Sequence, residues 1–124
     1  MTETTIKAGA FEFHLENRGN REDGDGGPSL GILGIIDGEK VQLLRFDMFR
    51  INPHYHYAPD RQNLRYSLDP LTLDDSIGWV INLIGNKLPQ LLAKAGHEGL
   101  ATPADLAAVH MVLPDVERRC RAIS

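Results

Sequence analysis

A chain of 124 residues, 42% hydrophobic and 24% charged, has the make-up of one globular domain, which excludes a disordered or membrane-spanning polypeptide. The net charge of −4 argues against nucleic acid as a partner, because phosphates call for clustered Lys and Arg. A single cysteine, Cys120, excludes an internal disulfide and fits a reducing compartment. Residues 1–7 contain no basic region followed by an apolar run, and the longest apolar stretches, 30–36 and 77–84, are too short to span a bilayer. A soluble, cytoplasmic protein with no membrane partner is therefore expected.

Residues 4–16 alternate, with Phe11, Phe13 and Leu15 on one side and Glu12, His14 and Glu16 on the other, which predicts a strand with one solvated face. Residues 17–28 are rich in Gly and Asp and lack any apolar side chain, so they read as a flexible loop, a connector or a lid. Asp23 to Gly27 resembles a calcium loop only superficially, since the later acidic ligand and the flanking helices are missing.

Asp37-Gly38 between two apolar segments predicts a tight hairpin, because both central positions of a type I′ turn need positive φ. A two-residue loop pairs Ile36 with Glu39, Gly34 with Val41 and Ile32 with Leu43. Val41 and Leu43 then face one way and Leu44, Phe46 and Met48 the other, which predicts a central strand covered on both sides. Arg45 and Asp47 interrupt this strand. They lie two apart and share a face, either half-solvated at the sheet end or paired.

The run Phe49-Arg50-Ile51-Asn52-Pro53-His54-Tyr55-His56-Tyr57-Ala58-Pro59-Asp60 is the one segment that a plain hydrophobic core does not explain. Proline disfavours helix before it, so a short strand over 54–57 is predicted, then a turn at Pro59-Asp60, then a partner strand within 62–68. On such a strand His54 and His56 project from one face and Tyr55 and Tyr57 from the other.

Asp74 or Asp75 caps a helix whose stripe is Ile77, Val80, Ile81, Ile84 and Leu88. Pro89 should kink it and Gly96 end it. Thr102-Pro103 opens a last helix, with Pro114 starting a further helical segment over 115–122. The basic residues Arg118, Arg119 and Arg121 suit the C-terminal end of that segment. Strands first and helices last predict one α+β domain, an antiparallel sheet of about five strands with C-terminal helices gathered on one face.

Phe46-Asp47-Met48-Phe49, Pro53 to Tyr57, Leu88-Pro89 and Ala95-Gly96 together resemble a family of small bacterial proteins of unknown function with a PHYHY signature. The resemblance spans roughly residues 30–100 and implies no activity, cofactor or catalytic residue.

Two imidazoles at i and i+2 on a strand share a face with Cα atoms about 6–7 Å apart, a spacing that metal sites on β-scaffolds use. His54 and His56 are therefore candidate ligands of a divalent metal, with Asp47, Asp60 or His14 completing the set. Without metal, either histidine suits general acid–base chemistry, oriented by Asp47, with Arg45 or Arg65 holding an anionic small molecule. The residues also suit a partner surface, since aromatic and imidazole side chains combine apolar area with a polar tip. The leading expectation is a small binding or accessory protein, homodimeric through its sheet and its His-Tyr-His-Tyr region. The alternative is a metal- or His-dependent enzyme of small molecules centred on His54 and His56.

Overall fold

The structure is a computed structural model and describes residues 3–19 and 22–123. Its elements are β1 (Thr4–Ala8), β2 (Phe11–Asn17), β3 (Pro28–Ile36), β4 (Glu39–Asp47), β5 (His54–Tyr57), β6 (Leu64–Ser67), α1 (Ser76–Lys94) and α2 (Pro103–Ile123). The six strands form an antiparallel meander in chain order, and both helices follow it. This is the expected α+β fold, with six strands rather than five.

The additional strand arises at Gly9. Residues 4–16 are a hairpin and not one strand, because the chain reverses at Gly9-Ala10. Gly9 has φ +61°, and a Cβ there would lie 2.5 Å from Asp105 Oδ1. The Asp105 carboxylate accepts the N–H groups of Ala10 and Thr102, each at 3.0 Å, and Thr102 Oγ1 accepts the Asp105 N–H at 3.1 Å. The reciprocal cap of α2 thus also anchors the first hairpin.

Asp37 (φ 52°) and Gly38 (φ 81°) form the predicted turn, and Ile36 pairs with Glu39 and Gly34 with Val41. The third predicted pair fails. Ile32 pairs with Leu44, because a bulge between Ile32 and Leu33 leaves Leu43 as an extra residue on β4. A bulge shifts the side-chain alternation by one position. Leu43 and Leu44 are both fully buried, and the apolar series continues through Phe46 on the same side. β4 therefore needs cover on one face only, and Gln42, Arg45 and Asp47 are left for the other.

That apolar face carries Phe11, Phe13, Leu15, Leu30, Ile32, Leu44 and Phe46, packed in one cluster with the buried stripe of α1 and with Val109, Leu113 and Val116 of α2. Asp75 caps α1 by accepting the Gly78 N–H at 3.0 Å. The helix kinks at Lys87 (φ −136°) and continues through Pro89. Pro89 has no N–H to offer the Gly85 carbonyl one turn back, and His110 Nε2 donates to that oxygen at 2.7 Å instead. α2 runs unbroken through Pro114, where the sequence suggested a restart. Cys120 is fully buried, and burial pushes its thiol up to about 12, which makes it unreactive. Among the described residues no helix is long and apolar enough to cross a membrane.

Candidate metal centre

The face of the sheet turned away from the helices collects the polar positions of each strand. The register aligns Glu16, Ser29, Asp47, His54 and Ser67 in one row, and His14, Gly31, Arg45, His56 and Arg65 in the next. The period of two predicts which residues share this face, and the register decides which of them meet.

Asp47 is the hub. Its carboxylate is 2% exposed and accepts the Ser29 hydroxyl at 2.5 Å, while Arg45 Nε lies 3.3 Å away, His54 Nε2 2.9 Å and His56 Nε2 3.7 Å. Burial alone would raise its pKa. The hydrogen bonds from His54 and Ser29, with the charges of Arg45 and His54, reverse that and hold it down at about 2. Asp47 is thus an ionised carboxylate in a nearly dry site.

The two histidines differ in what they can donate. His54 Nδ1 faces the Asn52 carbonyl at 2.8 Å and its Nε2 faces Asp47 Oδ2. Both partners are acceptors, so a metal-free ring satisfies them only with a proton on each nitrogen. His56 is the reverse case. Arg45 Nη2 can only donate, so the His56 Nε2 that it faces at 3.0 Å accepts, and Nδ1–H donates to Asn63 Oδ1 at 2.7 Å. Burial lowers the pKa of this imidazole, and the neighbouring charges of Arg45 and His54 add to the effect against the pull of Asn63. The rings lie 5.0 Å apart at 76°, and Phe49 closes the far side of His54 edge-on at 5.6 Å.

A second layer comes from the loop at 17–28, whose later part is tied to the sheet. The Asp25 carboxylate, 5% exposed, accepts the N–H groups of Gly26 (2.8 Å), Ile51 (2.8 Å) and Asn52 (2.9 Å). Burial alone would raise its pKa, and these backbone donors bring it below the ordinary value instead. Gly26 (φ +155°) passes so close to the chain that a Cβ would lie 2.5 Å from the Arg18 carbonyl. Asp25 therefore holds the turn whose Asn52 carbonyl holds His54.

The remaining predicted residues separate clearly. Tyr55 and Tyr57 lie on the helix side. Tyr55 packs against Phe46, Tyr66 and Trp79, and Lys94 Nζ sits over the rings of Tyr57 and Tyr66 at 5.1 and 4.6 Å. Burial pushes the Tyr57 phenol well above its usual range. Arg65 is opposite His56 in register but exposed, and it takes no part in the Asp47 network. His14 is hydrogen-bonded to Glu12 at 3.0 Å, and Asp60 is exposed in the β5–β6 turn, so of the three candidates for a further ligand only Asp47 joins the histidines.

Ser29, Asn52, Asn63 and Asp25 are site residues that the sequence reading missed. Two carried a faint signal. Asn63 has φ +50°, a conformation asparagine tolerates in turns, and an aspartate before two glycines is a common side-chain-to-backbone acceptor.

Oxygen and nitrogen ligand atoms of Asp47, His54 and His56 all lie within 4.8 Å of one another. Around a tetrahedral ion with bonds of 2.0–2.1 Å, ligand atoms stand about 3.4 Å apart, so small side-chain rotations would close the set. A family profile described as a domain of unknown function, DUF7700, matches residues 5–120, which takes in all of the sheet but Thr4, all of α1 and most of α2. The chain belongs to the DUF7700 family. No curated protein and no solved structure matches it. In this DUF7700 chain the cluster adjoins a cleft of about 140 Å³ lined by Glu3, His14, Arg18, Gln42 and others, with Ser29 and Arg45 common to both.

Proposed function

We propose that this DUF7700 domain is a small metal-binding protein in which Asp47, His54 and His56 hold one divalent transition-metal ion. The convergence of the three ligand atoms within 4.8 Å carries the reading. Two imidazoles and a carboxylate suit zinc, iron(II) or manganese, and three protein ligands leave a coordination position for water or a small molecule. When bound, such an ion supplies Lewis acidity at that position. The chain's own residues would do the orienting: the Asn52 carbonyl holds His54 through Nδ1, Asn63 holds His56 through Nδ1, and Ser29 holds Asp47.

The test is a titration of tag-free protein with Zn(II) or Co(II), read by calorimetry and by the visible spectrum of cobalt. One ion per chain is expected, with affinity falling at least tenfold in His54→Gln and in His56→Gln. Substoichiometric metal that both variants bind as well as the wild type would defeat the proposal.

A second reading concerns assembly and rests on a separate observation. β6 ends the sheet with all four residues exposed, Leu64 at 39% and Tyr66 at 40%. An open edge with apolar side chains is a template for pairing with another strand. Homodimerisation of an accessory protein through this edge is the expected state, rather than through Tyr55 and Tyr57, which already pack within the chain. Light scattering should give a dimer that Arg65→Pro converts to a monomer. A wild-type monomer at every accessible concentration would end this reading.

A further inference from the structure

Arg45 occupies the place that a bound ion needs. Its Nη2 donates to His56 Nε2 at 3.0 Å, and its Nε lies 3.3 Å from Asp47 Oδ2. An imidazole nitrogen that accepts has a single lone pair, and the Nδ1 of His56 is committed to Asn63. The lone pair that receives Arg45 is therefore the one that would bind metal. The guanidinium is permanently charged, so it cannot yield by losing a proton.

Resting on the metal reading above, we infer that Arg45 is the centre's own stand-in cation, and that it and a divalent ion are mutually exclusive partners of His56 and Asp47. Without metal, Arg45 neutralises the buried Asp47 carboxylate and fills the acceptor of His56. When the ion enters, Arg45 swings out into the adjoining cleft.

The surroundings suit that movement. The Arg45 side chain is 25% exposed, against 2% for Asp47, 10% for His54 and 7% for His56, so it is the member of the cluster with a route outward. Its register partner on β3 is Gly31, which has no side chain of its own. The space beside Gly31 is taken by the Gln42 amide, so the group that must turn aside there is the far end of Gln42. The cleft beyond is lined by Glu3 and Glu16, whose carboxylates can receive the displaced guanidinium. Glu16 already accepts from Arg18 at 2.6 Å, so Arg45 would join an existing ion pair there. The consequence is a centre that stays electrostatically balanced when empty, with an affinity for metal set by competition against an internal cation.

The test compares Co(II) or Zn(II) affinity of the wild type, Arg45→Met and Arg45→Lys, each first shown to be folded by its melting curve. Arg45→Met should bind at least tenfold more tightly than the wild type. Arg45→Lys keeps the charge but cannot span His56 and Asp47 together, so it should also bind more tightly than the wild type. In the wild type, the Arg45 Nε–H resonance should shift on titration with Zn(II). Unchanged or weaker binding by Arg45→Met, with a wild type that does bind metal, overturns the exclusion while leaving the metal centre standing. Equal affinity of Arg45→Lys and the wild type would mean general charge repulsion and overturn it too. Absence of binding in wild type and Arg45→Met alike removes the metal centre and this inference together.

Discussion

Asp47→Ala should lower the stability of the domain by about 3–5 kcal/mol, the cost typical of removing one partner from a buried charged network. Asp47 is 2% exposed and lies among Arg45, His54 and Ser29. Without the carboxylate, the Arg45 guanidinium has no counter-charge in a poorly solvated site, and His54 Nε2 and the Ser29 hydroxyl lose their partner. Urea unfolding followed by circular dichroism reads the loss directly. A change below 1 kcal/mol would mean that the hub contributes little to the fold. The same variant tests a pH dependence. The folded pKa of Asp47, about 2, lies below its ordinary 3.8, so its stabilisation is complete above about pH 4 and drains as pH falls through 2. The gap corresponds to about 2 kcal/mol. Wild-type stability should therefore fall more steeply between pH 4 and 2 than that of Asp47→Ala.

Asp25→Ala should cost about 1–3 kcal/mol, because its buried carboxylate accepts three backbone N–H groups at 2.8–2.9 Å and hydrogen bonds to a charged group contribute on that order. The effect should also reach the site. Asn52, released from Asp25, no longer holds its carbonyl 2.8 Å from His54 Nδ1. Imidazole resonances of His54 should broaden or shift in this variant, while those of His110, which is hydrogen-bonded to Gly85 on the other side of the sheet, should not. Asp25→Asn keeps one acceptor oxygen and should fall between the two. If Asp25→Ala melts with the wild type, the loop does not brace the site.

The candidate site was legible in part because of strand periodicity. Arg45 with Asp47 and His54 with His56 each lie two apart, so each pair had to share a face whatever the register. Their meeting follows from an antiparallel pairing that sets Asp47 against His54 and Arg45 against His56. The choice of Asp47 over His14 or Asp60 as the partner of the histidines was not legible. It depends on side-chain reach within a register, and all three lay at plausible positions along the chain. The braces were less legible still. Asp25 lies 26 residues from Ile51 and Ser29 lies 18 from Asp47, so only the folded path of the intervening strands brings them together.

The same contrast holds for the fold. By itself the sequence determined that strands precede helices, where the Asp37-Gly38 turn falls, that an aspartate at 74 or 75 caps α1 and Pro89 disturbs it, and, away from the bulge at Leu43, which side chains share a face. These are local matters, governed by φ preferences, by the missing N–H of proline and by alternation over a few residues. The tertiary structure alone decided that the chain reverses at Gly9, that Leu43 bulges and that one sheet face is left for chemistry. Gly9 turns because Asp105, far along the chain, waits to accept the Ala10 N–H. Leu43 bulges where the helices demand two adjacent leucines on one face. Both outcomes depend on packing between segments distant in sequence, whose energies no local pattern encodes.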